Sequence, residues 1–229
     1  MAQVRLAPSL AAAPLGQLAQ TLRELEQGGA DFLHIDLEDG HFIPSLALGT
    51  RLLEEAHALT QLPLDVHLLV ADPERLIPEV ARLGAATIAV HYEACAYPRR
   101  TLRQIKGFGL QAGLAFNART PVPELRYLLP LLDFVNVQST EPELPDWPFL
   151  SETLEKVTAL SALAAGHKPE LSICVDGGLD AENLPQAVAA GADLLVIGRS
   201  VFQGGTIGEN LARLRQAAHE ALRARKSPA

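Results

Sequence analysis

Two pairs of polar residues share one spacing in this 229-residue chain, at points where apolar runs predict buried β-strands. The first pair is His34 and Asp36, and the second is Asp65 and His67. Because side chains two residues apart on a strand point to the same side, each pair presents an imidazole and a carboxylate together. Asp176 ends a third apolar run and is followed by two glycines. Such groups form either buried ion pairs or the ligands of a metal ion.

The elements that must position these residues alternate between short apolar strands and amphipathic helices. Strands are predicted at 4–9, 32–36, 63–69, 87–91, 111–116, 134–137, 171–175 and 194–197. Helices are predicted at 15–27, 50–58, 73–83, 99–108, 123–129, 150–163, 183–190 and 208–223. Eight such units close most simply as a parallel (β/α)8 barrel, the TIM barrel, and a doubly wound open sheet is the alternative.

One domain is expected across residues 1–229, because barrels of this length fold as a single unit. The composition, 48% apolar and 20% charged, is typical of a packed globular protein. The longest irregular stretch, 139–149, contains three prolines and follows the sixth strand. In a barrel this stretch lies at the face that holds the active site, so we interpret it as a binding loop or a lid.

The carboxyl ends of barrel strands meet at one mouth, and four of the polar residues reach it. These are His34, Asp36, His67 and Asp176. Two imidazoles and two carboxylates suit one divalent ion of Zn, Fe, Mn or Co, and are unusual ligands for calcium or magnesium. The alternative is that the four side chains hydrogen-bond one another around buried water. Their matching positions favour the metal site.

Charge and composition limit the partners. The net charge is −8 and no Lys/Arg cluster forms a stripe, which argues against nucleic acid. No apolar run is long enough to span a bilayer, and residues 1–5 show no signal-peptide pattern. Two cysteines, Cys95 and Cys174, fit a reducing cytoplasm better than a disulfide framework. Cys174 shares the strand parity of Asp176, but we expect it to be a small core residue.

Motifs along nearly the whole chain resemble the ribulose-phosphate 3-epimerase family. They are Ala7-Pro8-Ser9, His34-Ile35-Asp36, Asp39-Gly40-His41-Phe42-Ile43-Pro44, Leu64-Asp65-Val66-His67-Leu68, Val90-His91-Tyr92-Glu93, Asn117 with Thr120-Pro121, Val175-Asp176-Gly177-Gly178, and Gly191-Ala192-Asp193. The resemblance implies a TIM barrel of the ribulose-phosphate-binding type. It also implies a divalent metal held by the four residues named above, and a protein that forms homo-oligomers.

The activity that the resemblance implies is inversion at C3 of a ketose phosphate, with D-ribulose 5-phosphate to D-xylulose 5-phosphate as the family default. Asp36 and Asp176 would be the acid/base pair, because inversion needs one proton removed from one face and another delivered to the opposite face. Ser9 and His67 would contact the substrate.

The segment that usually binds the substrate phosphate departs from the family pattern. Typical members carry a glycine-rich segment after the sixth strand, whereas residues 141–147 here read Glu-Pro-Glu-Leu-Pro-Asp-Trp. Prolines remove N–H donors and the acids repel a dianion. Gly177, Gly178 and Gly198 remain, and Arg199 stands where the family has a small residue. We interpret Arg199 either as a bidentate contact to phosphate or carboxylate, or as a salt-bridge partner of the new acids.

Methionines that usually line the metal site are also replaced. Glu38, Leu69 and Gln138 occupy their positions. Glu38 either hydrogen-bonds substrate hydroxyls or is simply solvated, and we include it among the substrate-binding candidates.

Three alternatives to the default activity are considered, and the departures favour the first of them. The first is an epimerase of another substrate, such as a hexulose phosphate, a free ketose or a sugar acid. The second is a Schiff-base aldolase, which needs a lysine at a strand end, and none of Lys106, Lys156, Lys168 and Lys226 falls there. The third is a non-catalytic binding protein, against which the paired aspartates argue.

Overall fold

The computed structural model describes residues 3–141 and 148–226, and of Lys226 only the backbone. Its strands are β1 (Arg5–Pro8), β2 (Leu33–Glu38), β3 (Leu64–Leu69), β4 (Ala85–His91), β5 (Gln111–Phe116), β6 (Phe134–Gln138), β7 (Ser172–Asp176) and β8 (Leu194–Ile197). Its α-helices are α1 (Leu18–Gln27), α2 (Thr50–Leu59), α3 (Pro73–Arg82), α4 (Pro98–Gly107), α5 (Leu154–His167), α6 (Leu184–Ala190), α7 (Arg199–Phe202) and α8 (Ile207–Lys226).

The eight strands form one parallel sheet in the order β1-β8-β7-β6-β5-β4-β3-β2. The two edge strands meet through a parallel bridge between Ser9 and His34. The Leu6 carbonyl also accepts the N–H groups of Asp31 and Phe32, at 3.0 and 3.3 Å. The sheet is therefore a nearly closed barrel, and the predicted (β/α)8 fold is confirmed.

Burial on both faces explains the apolar strands. Between the sheet and the helices lies one large core; α3, for example, contributes Ile77 and Val80 to it. A second, smaller cluster comprises Ala7, Ala89, Phe134, Cys174, Leu194 and Val196. Cys174 belongs to this cluster and is fully buried, so its prediction as a core residue is confirmed. Burial holds the pKa of this thiol well above its ordinary value.

The predicted helix at 123–129 is wrong. In the described chain, residues 121–125 have no regular structure and only a single 3-10 turn, Leu129–Leu131, precedes β6. Leu125, Leu128 and Leu132 are buried there, so the apolar spacing resembled that of a helix although turns produce it. Prolines at 121, 123 and 130 lack the N–H donors that a regular helix needs.

Other element boundaries differ by a few residues. The first predicted helix begins with a 3-10 turn, Leu15–Gln17, before α1, and α8 continues to Lys226, beyond the predicted end at 223. The short helix α7, directly after β8, was not predicted. Within the described ranges, no helix has the length and apolarity required to cross a membrane. Of the segment interpreted as a lid, 142–147 lies outside the described residues.

Candidate active site and metal centre

Four polar side chains converge at the carboxyl ends of β2, β3 and β7. They are His34, Asp36, His67 and Asp176, and one potential ligand atom from each lies within 4.8 Å of all the others. The two histidine side chains are at most 1% exposed, while the side chains of Asp36 and Asp176 are 14% and 13% exposed. The predicted ligands are thus brought together, with the imidazoles inside and the carboxylates toward the mouth.

Both histidines face the same two carboxylate oxygens. Asp36 Oδ1 lies 3.1 Å from His34 Nε2 and 3.2 Å from His67 Nδ1. Asp176 Oδ2 lies 3.6 Å from His34 Nε2 and 3.4 Å from His67 Nδ1. Two nitrogens and two oxygens in this arrangement fit a divalent ion of the Zn, Fe, Mn or Co type, because imidazole and carboxylate are the ligands these ions take.

The charges in this cluster also favour a cation. Burial acts to lower the pKa of His34 and His67, but the neighbouring Asp36 and Asp176 raise it, and each pKa stays above its ordinary value. Burial acts to raise the pKa of both carboxyls, but the histidines hold it below its usual range. The carboxylates therefore require positive charge beside them, which either protons on the histidines or one metal ion can supply.

Asp65 orients His34 from the side opposite the cluster. His34 Nδ1 donates to Asp65 Oδ2 at 2.7 Å, and the Thr87 hydroxyl donates to the other oxygen of the same carboxylate. With its proton on Nδ1, His34 presents the Nε2 lone pair to the cluster. Such carboxylate–histidine pairs behind a metal ligand fix the ring orientation and raise its basicity.

His67 is oriented by a longer series of contacts. Its Nε2 lies 2.9 Å from His91 Nε2, and His91 Nδ1 lies 3.2 Å from Glu93 Oε2. Burial lowers the pKa of His91 to about 4, so this ring is neutral at neutral pH. If the carboxylate accepts from His91 Nδ1, the other nitrogen of that ring must accept from His67 Nε2. His67 then presents its Nδ1 lone pair to the cluster.

The two aspartates receive different hydrogen bonds. The Ser9 hydroxyl donates to Asp36 Oδ2 at 3.1 Å. Asp176 Oδ2 instead accepts two amides, from Gln138 Nε2 at 2.7 Å and from Asn136 Nδ2 at 3.3 Å. Ser9 lies at the end of β1 and also caps the following 3-10 turn through the Ala11 N–H.

A cavity of about 270 Å³ opens beside Asp176. Its lining includes five of the predicted substrate-binding residues: Ser9, Gly177, Gly178, Gly198 and Arg199. The first two of these glycines have φ of +117° and +67°, and a Cβ at Gly177 would lie 2.4 Å from Thr140 Cγ2. Only glycine fits this turn, which lets the backbone line the cavity closely.

Glu38 holds the loop that follows β2. Its carboxylate accepts the Ser45 hydroxyl at 2.7 Å and the Ala47 N–H at 2.6 Å. The structure thus gives this side chain a partner in the protein that neither interpretation of the sequence anticipated. Contact with a substrate stays a prediction for this residue.

Sequence comparison identifies the family. A model described as the ribulose-phosphate 3 epimerase family matches residues 5–202. The chain belongs to the ribulose-phosphate 3-epimerase family. The predicted resemblance is confirmed, and with it the assignment of the chain to the epimerases, which are isomerases.

Relatives named as ribulose-phosphate 3-epimerases are similar over most of their length. The one from Bacillus subtilis (strain 168) is 38% identical over 200 residues, covering 87% of this chain and 92% of the relative. The one from Synechocystis is 35% identical over 212 residues, covering 92% of each. The one from Methanocaldococcus jannaschii is 32% identical over 219 residues, covering 96% of this chain and 93% of the relative.

Solved structures that resemble this epimerase share the fold. KGPDC from Streptococcus mutans in complex with D-R5P superposes with a TM-score of 0.74 at 14% identity, covering 95% of this chain and 98% of the other. Thiamine phosphate pyrophosphorylase from Pyrococcus furiosus superposes with a TM-score of 0.63 at 16% identity, covering 96% and 98%. At these identities the likeness concerns the barrel alone.

The four converging residues of this epimerase were predicted from its sequence, but the residues that support them were not. Asp65, His91, Glu93 and Asn136 were not predicted to act at the site, and Gln138 was noted only as a replacement. The spacing of Asp65 from His67 was an available signal. The other contacts depend on which residues stand opposite each other in neighbouring strands, which composition and spacing do not give.

Proposed function

We propose that the chain is a single-domain, metal-dependent epimerase that interconverts D-ribulose 5-phosphate and D-xylulose 5-phosphate. The observation that carries the proposal is the placement of Asp36 and Asp176 on the same two histidines at the barrel mouth. Family membership and the names of the relatives support the reaction. We further expect the enzyme to be cytoplasmic and to form a homo-oligomer.

The two aspartates carry the proton transfers in this proposal. Inversion at C3 requires a base on one face of the carbon and an acid on the other. One carboxylate takes the C3 proton while the other, protonated, gives a proton to the opposite face, and the roles reverse for the back reaction. The Ser9 hydroxyl donates a hydrogen bond to Asp36 Oδ2, and it can donate to a substrate hydroxyl instead when the substrate binds.

His34 Nε2, His67 Nδ1 and one oxygen from each aspartate would hold the metal. When bound, a divalent ion supplies Lewis-acid stabilisation of the negative charge that deprotonation at C3 creates. The donor set fits Zn, Fe, Mn or Co, and we propose one of these ions. Asp65 and His91 keep the two rings in the tautomers that binding requires.

The cavity beside Asp176 would receive the far end of the substrate. Gly177, Gly178 and Gly198 bring backbone groups to it, and the exposed side chain of Arg199 lies at its wall. A guanidinium suits a phosphate or a carboxylate, because it can donate two parallel hydrogen bonds. The acids of segment 141–147 favour a second candidate, an epimerase of a free ketose or another less anionic substrate.

Proton exchange at C3 separates these candidates. The metal-loaded enzyme is incubated in D₂O with D-ribulose 5-phosphate or with free D-ribulose, and loss of the C3 proton signal is followed by NMR. We expect rapid exchange and product formation with the phosphate, and none after the metal is removed by a chelator. Exchange with the free ketose alone would favour the second candidate. Exchange with neither, at full metal occupancy, would contradict the default activity and favour an epimerase of another substrate, such as a hexulose or a sugar acid, or a binding protein.

A further inference from the structure

Two buried amides from β6 hold the carboxylate of Asp176. Gln138 stands opposite Asp176 in the parallel register, and Asn136 precedes Gln138 by two residues on the same face. Gln138 Nε2 and Asn136 Nδ2 donate to the same oxygen, Oδ2, at 2.7 and 3.3 Å. Gln138 is 2% exposed and Asn136 is 1% exposed. Buried amides at such positions need a partner, and here the partner is a proposed acid/base group.

The orientation of Asn136 is set by this contact. Its Oδ1 is the one buried side-chain polar atom that has no hydrogen-bond partner among the residues that the structure describes. Turning the amide over would place Oδ1 against Asp176 Oδ2, an acceptor against an acceptor. The amide therefore donates to Asp176 although its own oxygen stays unpaired, which is unfavourable in a buried position.

Gln138 also distinguishes this chain from the pattern of its family. The resemblance places a methionine at this position, and a thioether cannot donate a hydrogen bond. If the side chain only filled space, methionine would serve equally well and the amide would have no reason to face a carboxylate. The substitution instead adds a donor to the oxygen that faces His34 and His67.

We propose that Gln138 and Asn136 are positioning residues that fix the carboxylate of Asp176, with Oδ2 toward the two histidines and Oδ1 left for proton transfer. This inference rests on the proposed function. Oδ2 already accepts two N–H groups, so a proton there would face two donors, whereas Oδ1 accepts no hydrogen bond from the residues that the structure describes. When Asp176 is the base, the C3–H bond breaks, its electron pair stays with the substrate, and an O–H bond forms at Oδ1; the acid step is the reverse.

The first test is Gln138→Met, which keeps the side-chain volume and removes the donor. Affinity for Co²⁺ is measured by competition with a chromogenic chelator, in the absence of substrate. We expect it to fall about tenfold, the lower end of what loss of a supporting contact costs a metal ligand. With D-ribulose 5-phosphate, kcat should fall about tenfold while KM stays within about twofold, because the lost contact acts on the reacting group.

A directional isotope measurement adds a readout that simple destabilisation would not move. In D₂O, slowing only the step at Asp176 should change the amount of deuterium that enters the recovered starting epimer per turnover. We expect this amount to increase in one direction of the reaction and not in the other. The second variant, Asn136→Leu, removes an unpaired oxygen as well as a donor. We expect it to lower kcat without lowering the Tm, which separates positioning from a structural role.

Gln104→Met is the matched control. Gln104 lies on α4, outside the site, and its Nε2 donates to the Glu74 carbonyl at 3.0 Å. It should leave Co²⁺ affinity and kcat within about twofold of the wild type. The inference is overturned if Gln138→Met also stays within those limits, or if its loss of kcat is accompanied by an equal change in KM and a lower Tm than the control. If the wild type does not turn over D-ribulose 5-phosphate, the proposed function fails, whereas the Co²⁺ measurement still decides the inference.

Discussion

His34 and His67 present different ring nitrogens to the cluster they form with Asp36 and Asp176, and single residues behind them determine which nitrogen it is. Asp65 accepts from His34 Nδ1, so that ring offers Nε2. His91 accepts from His67 Nε2, so that ring offers Nδ1. A neutral imidazole has one lone pair for a metal, and the hydrogen bond of the other nitrogen decides where it lies. Metal affinity should therefore depend on residues that do not touch the metal.

Asp65→Asn tests this dependence. In the wild type, one oxygen of the Asp65 carboxylate accepts from His34 and the other accepts from Thr87. The amide of the variant keeps the shape of the carboxylate but replaces one of these two acceptor oxygens with an NH₂ group. We expect affinity for a divalent ion, measured by chelator competition, to fall about tenfold. Asp31→Asn is the control. Asp31 precedes β2, and its carboxylate accepts from the Leu6 N–H and from Arg215 and not from a residue of the cluster. Equal affinity in both variants would show that Asp65 does not orient the ligand.

Glu93 gives a pH-dependent contribution to stability. Burial acts to raise the pKa of Glu93, but hydrogen bonds from His91 and Thr120 lower it from 4.5 to about 2. Above pH 4.5 the carboxylate is ionised in both the folded and the unfolded chain, and its stabilisation is complete. As the pH falls from 4.5 towards 2, the unfolded chain takes up a proton first, so this stabilisation is progressively lost.

Glu93→Gln should accordingly lower the free energy of unfolding at neutral pH by about 2 kcal/mol, the scale of hydrogen bonds to a charged group. The difference from the wild type, measured by urea unfolding at a series of pH values, should shrink through that acid window. A difference that stays constant with pH would mean that the charge of Glu93 contributes nothing.

Residue types and strand parity were sufficient to predict His34, Asp36, His67 and Asp176 as one cluster. Each lies on a predicted strand or at its end, and the barrel brings strand ends together whatever the loops do. Gln138 was visible in the sequence only as a change of residue. Its contact with Asp176 follows from the β6–β7 register, which the sequence leaves open because several registers keep the same faces buried.

At the scale of elements, the connection between β5 and β6 does without an α-helix in the described chain. Instead, Lys156 on α5 secures the loop after β5, donating from Nζ to the carbonyls of Asn117 at 2.9 Å and Thr120 at 2.6 Å, and to that of Ala118. The same loop gives Glu93 the Asn117 N–H and the Thr120 hydroxyl. The support of His67 therefore extends, through His91 and Glu93, to α5.

Lys156→Met measures what this element contact contributes. Three carbonyls lose a charged donor, so we expect the free energy of unfolding to fall by about 2 kcal/mol in urea titrations. Lys106→Met is the control, since Lys106 forms a half-exposed ion pair with Asp133, which should be worth less than about 1 kcal/mol. A loss no greater than that of the control would contradict the role assigned to Lys156.

The local sequence of this connection predicted a helix at 123–129 that the structure does not contain, and the error has a physical reason. The leucines at 125, 128, 129 and 132 repeat with helical spacing and are all buried. Turns can bury the same spacing without continuous backbone hydrogen bonds, and the prolines around them favour turns. The β5–β6 pairing does not require a helix of any given length, so the barrel tolerates the irregular connection.

At the scale of the whole molecule, the order of the elements and the barrel could be predicted because eight short apolar strands alternate with helices, and a parallel sheet of that size closes on itself. Closure depends on the β1–β2 seam, where Ser9 bridges to His34. The same two residues contribute to the active site, one through Asp36 and the other directly. Closing the barrel therefore also assembles the site across its seam.

Asp36 and Asp176 are proposed to transfer protons on opposite faces of C3. The most direct measurement is C3 proton exchange in D₂O for Asp36→Asn and Asp176→Asn, each offered D-ribulose 5-phosphate and D-xylulose 5-phosphate at verified metal occupancy. Asp39→Asn serves as the control, because the only hydrogen bonds that the Asp39 carboxylate accepts in the described chain come from the backbone N–H groups of His41, Phe42 and Ala71.

We expect both variants to lose turnover by about a hundredfold or more, while each still exchanges the C3 proton of one epimer, and the two variants to differ in which epimer that is. The control should retain turnover. If one variant exchanges both epimers and the other neither, a single residue handles both faces, and the assignment of paired acid and base is wrong.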